Sequence, residues 1–152
     1  MKNHNIKDVV FKKATDSNME EITKLDVDVF EGEQEIPAEL IPVPPENSPQ
    51  WWCALLDGTV IGAIAACEGN DQIHLGRFAI APKYRRLHIG TNLVTYSIED
   101  LFSQGIEEIH MEAREVTVKI ICAMGAKITG EPMEFYQGTV TPMVLYKKDY
   151  FN

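Results

Sequence analysis

The stretch IAPKYRRLHIG, Ile80–Gly90, ends an apolar strand-like run with a proline, two adjacent arginines and a glycine, then opens into a helical pattern. A strand feeding a tight turn and a helix N-terminus is a general physical solution for holding an anion. The first amides of the helix have no intrahelical partner, and the dipole places about half a positive charge there. Arg85 and Arg86 can add charge-assisted hydrogen bonds to a phosphate, and Thr91 either bonds the same anion or caps the helix. The lysine–serine/threonine end of a P-loop and the triple-glycine spacing of a dinucleotide fingerprint are both missing. A solvated basic turn, with a glycine for close helix packing, is the bland alternative.

Working outward, Ile6–Lys13 reads as a first strand. Met19, Ile22, Leu25, Val29 and Phe30 recur at helical spacing behind a cap at Asp16 or Ser17. The prolines at 37, 42, 44, 45 and 49 break that helix into loop, with room for a short helix from about Ala38. Gln50–Leu56 and Val60–Cys67 flank Asp57–Gly58, a hairpin signal, and Ile73–Ile80 is a third antiparallel strand. A helix spans Ile89 to about Gln104, a strand Glu108–Arg114 and a short helix Val116–Met124. Lys127–Gly130 and Thr139–Lys147 read as the last two strands, linked by EPMEFYQG. The order implies an α/β (α+β) fold: one domain over residues 1–152, a mixed sheet of about seven strands, and about four helices on its two faces.

At 45% apolar and 24% charged residues, the chain is globular in composition. A net charge of -9 excludes a broad basic footprint for nucleic acid, yet a few local arginines and oriented amides still suffice for a phosphate. No apolar run is long enough to span a bilayer, and MKNHNIKDVV lacks the apolar core of a secretory signal. Three cysteines make no disulfide framework, so the expected location is cytoplasmic. No HExxH or CxxC spacing joins the histidines and cysteines, so no metal is expected.

The segment LGRFAIAPKYRRLHIGTNLV, Leu75–Val94, resembles the central motif of the GCN5-related N-acetyltransferase (GNAT) superfamily. That resemblance implies a GNAT fold and acetyl-CoA as acyl donor. Phe78, Ala79 and Ile80 would meet the pantetheine arm, and Arg85, Arg86, Leu87, His88, Ile89, Gly90 and Thr91 would surround the pyrophosphate. VFEGEQEIP (Val29–Pro37), Gly76–Arg77, AREVTVKIICAMGA and GEPMEFYQGTVTPMVLYK narrow the resemblance to the ElaA/YjcF-like branch, with Ala126 in place of an aromatic. His88 stands where the motif has its first glycine; a histidine is tolerated there if its dihedrals stay helical, with its side chain pointing away or donating to the phosphate. Ile121 stands where many members carry a tyrosine that protonates the leaving thiolate.

Acetylation of an amine needs a neutral nucleophile, a route for its proton and a donor for the oxyanion. A strand amide near Phe78 or Ala79 is the family's usual oxyanion donor. His74 is the first candidate base, since free imidazole titrates near neutrality and simple alternation puts it on one face with Gly76, Phe78 and Ile80. Glu33, on the acceptor side in similar proteins, can bind an ammonium or relay its proton. His110 and Glu112 share a strand face and line either the cleft or a packed helix, and Tyr136 is a substitute for the missing tyrosine. One of Trp51 and Trp52 belongs to the core and the other to a cleft wall. Met111, Met124, Met133 and Met143 read as core or interface packing.

The function implied is acetyl transfer from acetyl-CoA to an amine of a small molecule or peptide, by direct attack in a ternary complex. The partner is that acceptor, not nucleic acid or membrane, and the protein acts as a monomer or homodimer. The competing reading is a catalytically weak or inactive acyl-CoA-binding module that keeps the fold, supported by the missing tyrosine.

Overall fold

The computed structural model describes residues 8–37, 48–85 and 87–150. The expected helix near Ala38, and Arg86, lie outside the described residues. The elements are β1 (Val9–Lys13), α1 (Met19–Asp26) running into a π-helical turn (Val27–Glu31), β2 (Gln50–Leu56), β3 (Thr59–Gly69) and β4 (Gln72–Ile80). They continue with α2 (Ile89–Ser103), β5 (Glu108–Arg114), α3 (Glu115–Cys122), β6 (Lys127–Ile128), β7 (Met133–Glu134) and β8 (Thr139–Tyr146).

One sheet runs in the order β1-β2-β3-β4-β5-β8-β6, with β7 also paired to β8. The β4–β5 pair is parallel and the others are antiparallel. Two tight hairpins build its first half. Asp57–Gly58 and Asn70–Asp71 each place both central residues at positive φ, the geometry that matches the right-handed twist of the flanking strands. Eight strands stand where about seven were expected. The extra one, β7, lies in EPMEFYQG and consists of two exposed residues, too short to show any alternation. Three α-helices occur among the described residues.

The main core fills the space between the sheet and α2 with α3, through Trp52, Ile64, Leu93, Ile98, Ile109, Ile121 and Met143. On the opposite face α1 packs Ile22 against Cys53 and Ala63, and its π-turn packs Val29 and Phe30 against Ala79. Trp52 is fully buried in the main core, and its Nε1–H donates to Asp100 Oδ2 of α2 at 2.7 Å. Trp51 packs on the α1 side and lines no cleft wall. Met111, Met124 and Met143 are core, whereas Met133 is exposed.

One irregularity in β4 sets the rest. Ala63 pairs with Ala79 and Ala65 with Gly76, so Ile64 alone faces both Arg77 and Phe78. This is a β-bulge, and Arg77 occupies the left-handed region at φ 53°. The bulge reverses the alternation of β4. Ile73 and Leu75 face the main core before it, and Phe78 and Ile80 face the same core after it. The simple alternation that put His74 on one face with Phe78 and Ile80 therefore does not hold. His74 faces the α1 side.

Replacing Trp52 by Phe keeps most of the packing but leaves half-buried Asp100 Oδ2 without its indole donor. We expect a loss of about 1–3 kcal/mol in urea unfolding, with the slope against urea unchanged.

Candidate active site

β4 and β5 pair only at Ile73–Ile109 and His74–His110. Beyond those two registers they border a cleft of about 120 Å³. Its β4 wall is Leu75–Phe78 and its β5 wall is Met111–Arg114, with Phe30 and Gln34 from the α1 side and Val94, Thr117 and Ile121 from the helices opposite. The cleft thus opens where the bulge carries β4 away from its parallel partner.

At the far end of β4, Ala81 N–H donates to Ile61 O at 2.8 Å. In an antiparallel ladder successive residues present their backbone groups to opposite sides, so those of Ile80 point away from β3. Ile80 O accepts Arg85 Nε–H at 2.9 Å. The same guanidinium grips both carboxylate oxygens of Glu33, at 2.7 and 2.9 Å. These two candidates are therefore brought together, and each engages the other. Arg85 ties the segment after the π-turn to the end of β4.

The turn then enters α2 through His88, at φ 63° and ψ 11°. His88 does not keep helical dihedrals; it adopts the left-handed conformation that glycine takes most readily. The first helical bond runs from Asn92 N–H to His88 O. Ile89, Gly90 and Thr91 therefore present amides without intrahelical partners. Ile89 anchors this end in the core, while Leu87 and His88 are exposed. At Gly90 a Cβ would come within 2.9 Å of Phe78 Cζ, so a larger residue there would have to push the Phe78 ring aside.

A model of the acetyltransferase (GNAT) family matches residues 18–119, well over half of the chain. The chain belongs to the acetyltransferase (GNAT) family. Over 69 residues it is 30% identical to the protein named "Probable N-acetyltransferase camello" from Xenopus tropicalis, a match covering 43% of this chain. The match spans only 32% of that relative. The fold also matches Escherichia coli ElaA, with a TM-score of 0.77 at 14% identity over 90% of this chain and 98% of that one. An acyl-CoA N-acyltransferase from Pseudomonas aeruginosa matches with a TM-score of 0.74 at 16% identity, over 90% and 97%.

Ile121, which the family resemblance sets in place of a tyrosine, lines the cleft and is fully buried. The turn that closes the helix bearing it passes through Gly125, φ 104°, and Ala126 N–H reaches back to Ile121 O. Tyr136 does not reach the cleft wall. It is exposed at φ 52°, edge-on to Phe135. His74 stands at the paired end of the strands, its ring 5.7 Å from that of His110, and His110 Nε2 lies 2.9 Å from Glu108 Oε1. Neither histidine lines the cleft, whereas Glu112 does. Among the described residues no group of three or more His, Cys, Asp or Glu side chains is placed to hold a metal ion.

Asp26 escaped the sequence reading. It sits at the end of α1, almost wholly buried, with Oδ1 unpartnered. Burial pushes its carboxyl up from 3.8 to about 7, and the charge of Arg77 opposes that rise. The signal was its helical register, one turn before Phe30 on the buried face. Because the folded value lies above the unfolded one, folding favours the protonated acid. That preference is lost as pH rises from about 4 through about 7. Asp26→Asn should therefore gain stability relative to the parent as pH rises from 5 to 8, by about 2.6 kcal/mol. Urea unfolding of both proteins across this range measures it, and parallel pH slopes would dismiss the burial argument.

Proposed function

We propose that this acetyltransferase-family protein moves an acetyl group from acetyl-CoA to the amine of a small molecule or peptide, by direct attack within a ternary complex. The observation that carries this reading is the parting of β4 and β5 at the bulge, with unpartnered helix amides at the end of the same strand. Acetyl-CoA, when bound, supplies an acyl group activated as a thioester. The backbone of Phe78–Ile80 suits the amide-bearing pantetheine arm, and the amides of Leu87–Thr91 suit a pyrophosphate. In this reading Arg85 braces the site through Glu33 and leaves the phosphates to those amides.

For transfer, the acceptor nitrogen forms its bond to the acyl carbon while the carbon–sulfur bond breaks. Its proton needs a base, and the departing thiolate takes one from solvent. Glu112 is the carboxylate that lines the cleft, so it is the group we assign to receive the amine proton. His74, set back beside His110, would act only through an intervening water. A strand amide at the bulge, Phe78 first, is the oxyanion donor.

The alternative, an acyl-CoA-binding module without turnover, draws on Ile121, which puts a methyl-bearing wall where a proton donor would stand. An amine panel assayed for CoA release decides between the two. We expect turnover above thioester hydrolysis with at least one amine. Glu112→Gln should lower kcat by about 10²-fold, in the usual range for loss of a general base, with little change in acetyl-CoA affinity. Failure of every amine to raise CoA release above thioester hydrolysis would remove the enzyme reading.

A further inference from the structure

The cleft is chemically two-sided. Facing α2 and α3 its wall is apolar apart from Thr117, with Phe78, Val94, Met111 and Ile121. The other polar lining groups, Gln34, Arg77, Glu112 and Arg114, belong to the α1 side. Glu112 and Arg114 share one face of β5 by alternation. The Arg77 guanidinium offsets burial at both Asp26 of α1 and Cys67 of β3, which places it on that side too. The cleft lining carries two guanidiniums and one carboxylate, with Asp26 close to Arg77 behind it, in a chain whose net charge is -9.

Both arginines are held for the task. Arg114 Nη1 donates to Phe135 O at 2.8 Å and Gln137 O at 3.2 Å, and its guanidinium carbon lies 5.1 Å from the Phe135 ring centre. Its Nη2 is buried and has no hydrogen-bond partner. A buried, charged donor without an acceptor is costly, and a carboxylate in the cleft would relieve it once the guanidinium turns to meet it. Arg77 reaches the cleft only because a non-glycine residue accepts left-handed backbone at the bulge.

We infer that the acceptor carries a carboxylate as well as its amine, and that Arg77 and Arg114 recognise that carboxylate from opposite walls of the cleft. This rests on the transferase reading above, with Glu112 of the same lining left to take the amine proton. Planar guanidiniums match a carboxylate by paired hydrogen bonds, so an uncharged amide in its place should bind poorly.

The test pairs α- and ω-amino acids with their own amides, and adds spermidine as an amine with no carboxylate. Acetyl-CoA-dependent CoA release should favour the acid over its amide by at least about 10-fold in kcat/KM, the factor for losing one charge-assisted contact. The difference should lie mainly in KM. Arg77→Asn and Arg114→Gln should each bring the acid-to-amide ratio towards one, and acetyl-CoA calorimetry reports whether each variant is folded. Arg114 also ties down the 135–137 segment, so Arg77→Asn carries the test if Arg114→Gln fails to fold. Turnover that prefers amides or spermidine, or a ratio that survives both substitutions, overturns the inference and leaves the transferase reading standing. If no amine is turned over, calorimetry of the same acids and amides still decides the site. Selective binding of acids supports the carboxylate site and removes the transferase; equal or absent binding removes the site as well.

Discussion

The structure depends on one break in a ladder. Between Gly76 and Ala79 the fourth strand carries one residue too many for its neighbour, and Arg77 absorbs the excess in left-handed backbone. Parallel strands normally stay paired along their length. Here the pairing of β4 with β5 lasts two registers, and the parting that follows makes room for a cleft inside a continuous sheet. Without the bulge, Phe78 and Ile80 would turn away from α2, and the helix could not lean on the strand at Gly90. The strain at one arginine thus sets both the opening of the cleft and the seat of the helix that borders it.

The ends of the cleft are held by different forces. At the tip of β4 a single guanidinium joins a carbonyl of the strand to a carboxylate from the segment after α1, fixing two otherwise separate pieces of chain. The α2 terminus beside it is anchored by Ile89 in the core and entered through His88 in a glycine-like conformation. A histidine there costs about 1 kcal/mol relative to the glycine of the family motif, a cost the buried helix face easily outweighs. On the α1 side, the buried Asp26 carboxyl is pushed up to about 7 by burial.

Much of this was legible in the sequence because it rests on local rules. Gln50–Leu56, Glu108–Arg114 and the start of α2 at Ile89 were read at their true limits, since alternation, helical spacing and the Asp57–Gly58 turn all act over a few residues. The family motif in Leu75–Val94 likewise identified the fold. What stayed hidden depends on pairing between strands. The bulge at Arg77 has no mark of its own in a run of β-forming residues, so the side that His74 faces was read in reverse. The mutual engagement of Glu33 and Arg85, 52 positions apart, is likewise a product of the fold. Asp26 reads as one more acid on an amphipathic helix until the packing around it is known, and the two-residue β7 is too short for any pattern.

The central claim is that the parted strand and the helix terminus beside it form the acyl-donor site. Hydrogen–deuterium exchange with and without acetyl-CoA tests it most directly. The account predicts slowed exchange at the backbone amides of Phe78–Ile80 and Leu87–Thr91, with the β1–β2 edge unchanged. Binding that leaves those two segments unprotected, or protects a different surface, would contradict it.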